Sequence, residues 1–397
     1  MIQREQYLSK LRKYRNKQVI KVITGIRRCG KSTLLKLFQR ELAEDGVEQP
    51  QMIYLNFEDM DNSHLLDAKA LHQYIKDRLQ PGNTYVFLDE VQMVPSFEMV
   101  VNSLLLRENV DVYVTGSNAH MLSGEIATLL SGRYVEIKML PLSFKEFVSA
   151  QGKTQPGLSS LYKKYITSSS FPYVLELEED RELIRDYLEG VFSTVVLKDI
   201  MARKKIGDVM MLESVIKFLF DSIGSLVSTK KISDTMISSG RKIAPQTVES
   251  YIERLMESYV VYQTKRFDVK GKQHLKTLEK YYVADVGLRF HLLGNRQADT
   301  GHLLENVIYL ELLRRGYDVF IGKVDQYEVD FIALSREETL YIQVAATVRS
   351  KDTLERELRP LQMIRDHHAK MILTLDEDPE MNIEGIRVVN ALDFLMQ

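Results

Sequence analysis

Val19-Ile20-Lys21-Val22-Ile23-Thr24-Gly25-Ile26-Arg27-Arg28-Cys29-Gly30-Lys31-Ser32-Thr33 decides the fold. A β-rich apolar run enters a loop bounded by glycines, and Leu34, Leu35, Leu37, Phe38 and Leu42 then repeat at helical spacing. Gly25 to Ser32 fits the phosphate-loop pattern G-x-x-x-x-G-K-[ST] between a strand and a helix. Its glycines let backbone N–H groups close around phosphate oxygens, and the helix N-terminus adds a positive dipole end. Residues Gly25 through Thr33 are therefore the candidate nucleotide-binding set. Lys31 is expected to reach the β- and γ-phosphates, and Ser32 to ligate Mg²⁺.

Outward from this loop, short β-rich runs alternate with amphipathic stretches, as in a parallel sheet covered by helices. Strands are predicted at Val19–Thr24, Met52–Phe57, Tyr85–Leu88, Asp111–Thr115 and Tyr134–Lys138, and helices at Lys31–Ala43, His64–Leu79, Phe97–Arg107 and Ala119–Leu129. This is a doubly wound α/β core over residues 1–140. Tyr85-Val86-Phe87-Leu88-Asp89-Glu90 brings two acids to the crevice at the strand ends: Asp89 to hold Mg²⁺ through water, Glu90 to polarise the attacking water. Val114-Thr115-Gly116-Ser117-Asn118 ends beside the same crevice. Ser117 or Asn118 either reads the γ-phosphate or caps the following helix. Arg133 is a candidate arginine finger acting in trans, or a solvated surface arginine.

Beyond Pro141 the pattern turns helical to residue 207, a small lid. Residues 208–295 read as three helices and a hairpin, the order of a winged helix. Residues 296–397 form a third α/β segment. Residues 203–282 hold 15 Lys+Arg against 9 Asp+Glu, a surplus of +6 in a chain of net charge −2. Glu249, Glu253 and Glu257 on the third helix oppose phosphate, whereas Lys265, Arg266, Lys270, Lys272, Lys276 and Lys280 crowd the hairpin. Nucleic acid, if bound, is expected on hairpin 263–280; the alternative is a protein partner.

The 397 residues carry 45% hydrophobic and 27% charged residues, enough for several cores and too many apolar groups for global disorder. No apolar run exceeds four residues, so no membrane span or leader is expected. The single cysteine, Cys29, forms no internal disulfide, and a cytoplasmic address is expected. At a helix N-terminus its thiolate would be favoured, which raises redox control of the loop.

The phosphate loop, Leu88-Asp89-Glu90, Val114-Thr115-Gly116-Ser117, Ser131-Gly132-Arg133 and Pro141-Leu142-Ser143-Phe144-Lys145-Glu146-Phe147 together resemble the bacterial and archaeal AAA+-like ATPases, in the branch fused to a winged helix and a restriction-endonuclease-like tail. That resemblance implies ATP as nucleotide, Mg²⁺ as metal, and an oligomer as one expected state. It also implies a vestigial nuclease site at Glu305, Asp330 and Gln343, where Ala345 stands in place of the expected lysine. Lys323 and Lys351 are the substitutes considered, and a domain without cleavage is expected. A nucleotide-gated switch with little turnover is the alternative to a working ATPase.

Overall fold

The computed structural model describes residues 2–119, 130, 132–152, 157–177, 180–194, 201, 208–269, 271, 273–294, 300–378 and 380–397. The helix expected at Ala119–Leu129 lies almost entirely outside them, as does Ser131. The chain divides into two compact units, one of Met1–Pro141 with Glu257–Tyr259, the other of the remaining residues.

In the first unit, β1 (Ile20–Thr24), β2 (Met52–Asn56), β3 (Thr84–Asp89), β4 (Val110–Gly116) and β5 (Tyr134–Lys138) form a sheet of order β2-β3-β4-β1-β5. Every pairing is parallel. Parallel strands are covered on both faces, which is why β1, β3 and β4 are buried along their whole length and read as near-continuous apolar runs. Lys21 is the exception within β1; its ammonium meets Asp111 of β4 and the Lys17 carbonyl. The expected helix at His64–Leu79 is two elements: a 3₁₀ turn, Met60–Leu65, and a helix, Ala68–Lys76. Asp67 separates them by accepting bonds from the Lys69 and Ala70 amides, an N-cap that starts a new helix. The helix Glu5–Tyr14, not anticipated, buries Tyr7, Leu8 and Leu11.

In the second unit, nine strands form one mixed sheet. β6 (Leu226–Val227), β7 (Val261–Asp268) and β8 (Gln273–Val283) come from the segment read as a winged helix; β9 (Asp318–Val324), β10 (Tyr327–Leu334), β11 (Thr339–Ala345), β12 (Ala369–Thr374), β13 (Met381–Ile383) and β14 (Ile386–Asn390) come from the tail. The order is β13-β14-β12-β11-β10-β9-β7-β8-β6. The hairpin is thus not a free wing: β7 pairs in parallel with β9, Phe267 opposite Gly322. Leu142–Met256 and Val260–Gln397 make up this unit, so most of the lid, the winged-helix segment and the tail fall within it. Helices Val209–Asp221, Thr229–Ser238 and Pro245–Glu257 precede the hairpin as expected. Close packing joins the helical segment to the hairpin's exit: a Cβ on Gly287 would lie 2.4 Å from the Ser169 Cα, and buried Asp285 accepts bonds from the Ser170 amide and hydroxyl. Among the described residues no helix is long and apolar enough to cross a membrane.

Candidate active site

β4 lies between β1 and β3, so its carboxyl end separates the phosphate loop from the two acids and can touch both. The loop itself is tightly built. Gly25 has φ +149°, and a Cβ there would lie 2.1 Å from the Met139 carbonyl oxygen. Gly30 adopts the left-handed region immediately before the helix Lys31–Glu44. The buried Lys31 ammonium donates to the Gly25 and Ile26 carbonyls and lies 3.6 Å from the Glu90 carboxylate. Ser32 is half-buried and Thr33 exposed at the start of the same helix.

Glu90 has φ +54°, an uncommon conformation for a residue with a side chain. In this turn its carboxylate accepts bonds from Gln92 Nε2 at 2.5 Å and Ser117 Oγ at 3.1 Å. Burial pushes the Glu90 carboxyl up, but Lys31, Gln92, Arg27 and Ser117 together hold it below its ordinary value. Asp89, fully buried, accepts from the Tyr54 hydroxyl at 2.8 Å and from the Thr115 hydroxyl. Thr115 Oγ1 in turn accepts the Glu90 amide at 2.9 Å.

The structure therefore brings together Lys31, Asp89, Glu90 and Ser117, with Asn118 half-buried immediately after. Tyr54, Gln92 and Thr115 were missed in the sequence. Thr115 carried a signal in its place on β4, two residues before Ser117, whereas Tyr54 becomes a partner only because β2 and β3 pair in register. Arg4 was also missed: buried, it donates to the Cys29 carbonyl at 3.1 Å and the Leu140 carbonyl at 2.6 Å, tying the loop to the chain after β5.

One expectation is narrowed and one changes. Arg133 is exposed, and its carbonyl accepts the amide of Ile20, the first residue of β1. It thus sits at the amino edge of the parallel sheet, opposite the loop, and takes no part in its own chain's crevice. Cys29 is fully buried, and burial raises its thiol above the ordinary value. The thiolate favoured by the helix terminus is not retained there, so the redox reading loses its physical basis.

In the tail, Glu305 and Asp330 do converge, on a cavity of about 710 Å³ that Ala345 also lines, and Gln343 is buried beside Asp330. Gln343 Oε1 accepts the Asp330 amide at 2.7 Å, and its Nε2 donates to Glu357. A lysine is present, though not from the expected positions: Lys280 of β8 reaches Glu305 and Glu328 at 2.9 Å each and Asp330 at 3.6 Å. Lys280 is buried and so is removed from the hairpin's set of phosphate-facing residues. Lys351 is exposed and pairs with Glu355. Burial holds Glu305 up at about 7 even beside Lys280, while the three carboxylates keep the Lys280 ammonium protonated. Among the described residues no group of three or more His, Cys, Asp or Glu side chains is placed to hold a metal ion. Of the other hairpin lysines, Lys265 is exposed; Lys270 and Lys272, and the side chain of Lys276, lie outside the described residues.

Residues 17–148 match the model of an AAA domain, and residues 159–299 that of a domain of unknown function. An uncharacterized protein of Haemophilus influenzae is 40% identical over 401 residues, covering 100% of this chain and 99% of its own. An uncharacterized protein of Methanocaldococcus jannaschii is 29% identical over 358 residues, 86% of this chain and 77% of its own. Among solved structures, the Walker-type ATPase PABY2304 of Pyrococcus abyssi shares the fold, with a TM-score of 0.51 at 15% identity over 74% of this chain and 96% of that one. The chain belongs to the same family as the Haemophilus influenzae protein, and its residues 17–148 are an AAA-type P-loop ATPase domain.

Proposed function

We propose that the protein is a Mg²⁺-dependent ATPase in which ATP occupancy changes the arrangement of the α/β core, the helical segment, the winged-helix segment and the tail. The observation that carries this reading is the convergence of Lys31, Glu90 and Ser117 around one crevice, with Asp89 clamped beside them by Tyr54 and Thr115. The donor set fits a hard cation: the Ser32 hydroxyl directly, and the Asp89 carboxylate through water. Bound Mg²⁺ supplies neutralisation of charge on the β- and γ-phosphate oxygens. Lys31 exchanges its loop carbonyls for phosphate, Glu90 orients and takes a proton from water, and Ser117 or Asn118 senses the γ-phosphate.

A second reading, a nucleotide-gated switch with little turnover, is favoured by the engagement of Glu90 with Lys31, Gln92 and Ser117, since a carboxylate held below its ordinary value is a weaker base. Its outputs are the exposed part of hairpin 263–280, toward nucleic acid or a protein partner, and the tail. In the tail, the Lys280 ion pairs support binding or assembly rather than cleavage. Arg133, at the far edge of the sheet, reaches a nucleotide only in another copy, so an oligomer is part of the ATPase reading.

ATP turnover per molecule, measured with Mg²⁺ from nanomolar to tens of micromolar protein, separates these readings. Activity that rises with concentration and saturates supports the assembling ATPase. Low, flat turnover with tight ATP binding supports the switch. Glu90→Gln is expected to keep nucleotide affinity and lose roughly 10²–10⁴-fold in turnover; normal hydrolysis by this variant refutes the role of Glu90.

A further inference from the structure

We propose that the Arg27 side chain is a catalytic residue of this site, stabilising the γ-phosphoryl group within its own chain. The inference rests on the ATPase reading of the crevice and adds to the loop a cation that the phosphate-loop pattern does not specify. Arg27 Nε donates to Ser117 Oγ at 3.4 Å, and Arg27 Nη1 lies 3.8 Å from Glu58 Oε1. Ser117 Oγ donates onward to Glu90 at 3.1 Å. The guanidinium therefore meets the residue assigned to the γ-phosphate and stands one hydrogen bond from the carboxylate assigned to water.

The neighbouring Arg28 has φ +68° and is exposed, so the loop turns between the two arginines and it is Arg27 that meets the crevice residues. The contacts of Arg27 with Ser117 at 3.4 Å and with Glu58 at 3.8 Å are long beside the 2.7–2.9 Å of a charge-assisted bond, and Glu58 is half-exposed. The planar fork of a guanidinium matches the oxygens of a phosphoryl group, which can take the place of the Ser117 and Glu58 contacts. Arg133 cannot do this in cis from the opposite edge of the sheet.

In the hydrolysis, a water oxygen bonds to the γ-phosphorus as the bond to the bridging oxygen breaks. The electron pair leaves with ADP, and the water proton passes to Glu90. Arg27 forms no covalent bond and keeps its protons, balancing charge on the phosphoryl oxygens. Before nucleotide arrives, Glu58 and Ser117 hold it beside that position.

The test uses the full chain with Arg27→Ala and Arg27→Lys. Affinities for ATP and ADP, trapping of ADP with aluminium fluoride, and turnover are each measured with Mg²⁺. Arg27→Ala is expected to hold ADP within about threefold, to lose roughly tenfold or more of its ATP-over-ADP preference and its aluminium fluoride trapping, and to lose roughly 10³-fold in turnover. Arg27→Lys should restore little of this, because an ammonium lacks the fork. Unchanged ATP-over-ADP preference and trapping overturn the inference, as does equal weakening of ATP and ADP, which would mark a loop-building residue. Wild-type protein that binds ATP without hydrolysing it refutes the ATPase reading alone, since the preference still tests Arg27; wild-type protein that does not bind ATP refutes both.

Discussion

Two lysines, Lys31 and Lys280, are almost equally buried, and each faces carboxylates, yet their surroundings make them different devices. Lys31 is held by two loop carbonyls and one carboxylate at 3.6 Å. All three are contacts that a phosphate oxygen can replace. Lys280 is ringed by Glu305, Glu328 and Asp330, with Tyr282 donating to Glu305 at 2.6 Å. Removing that ammonium would leave three acids sharing a cavity without their cation. A loosely satisfied buried charge is poised for a ligand; a saturated one holds its neighbours together.

The sharpest break between the two is Lys31→Ala, expected to weaken ATP binding roughly a hundredfold or more, since a buried charge-to-phosphate contact is truncated. Its folding stability should fall much less, because Glu90 keeps Gln92 and Ser117; equilibrium titration and denaturant melts measure the two effects separately. Lys280→Met should reverse the pattern, with ATP affinity unchanged and stability down by roughly 3–5 kcal/mol.

The deficit of Lys280→Met should also depend on pH. Glu305 already titrates near 7, above its ordinary value, and loses its main counter-ion in the variant. Between the unfolded and folded values the native state holds more protons than the unfolded chain, so the variant's stability falls as pH rises. The gap from wild type should be widest at pH 8 and narrowest near pH 5; a gap that does not vary would refute the ion-pair account.

A smaller effect tests the join between the acids and β4. Thr115→Val keeps the shape but removes the acceptor of the Glu90 amide and the donor to Asp89, leaving a buried amide unpaired. Roughly 1–3 kcal/mol of stability and about a tenfold fall in turnover are expected, read by denaturant melts and steady-state ATP hydrolysis. Unchanged turnover would mean that Asp89 and Glu90 need no such bracing.

The first unit was legible because its signals are local. A β-rich run, a glycine loop and an amphipathic helix are contiguous, and the acids end a continuous apolar strand. Five strands were placed within a residue or so, and Lys31, Asp89, Glu90 and Ser117 meet in the structure. The misreadings are equally physical. His64–Leu79 carries helical periodicity throughout, but the Asp67 cap divides it. Cys29 stands beside a helix N-terminus, but its complete burial outweighs that dipole and raises the thiol.

In the second unit the difficulty lay in pairing. The three helices and the hairpin were visible as periodicities, but nothing in Val261–Asp268 says that its free edge is taken by Asp318–Val324, about fifty residues on. That pairing converts a basic hairpin into sheet interior and turns Lys280 toward Glu305 and Asp330. Ala345 stands where the resemblance implies a lysine, and Lys280 lies about sixty residues earlier in the chain, so only the folded sheet brings it to Asp330.

The sequence by itself determined the parallel α/β core, the phosphate loop and the chemical types gathered at the strand ends, since strand and helix periods and the glycine conformations are properties of neighbouring residues. Only the tertiary structure decided which charges are bound to which: Lys31 to loop and Glu90, Arg27 to Ser117 and Glu58, Lys280 to three acids of the tail. Charge pairing depends on burial and on distances of a few ångströms between residues remote in the chain, and those quantities exist only once the sheets are closed.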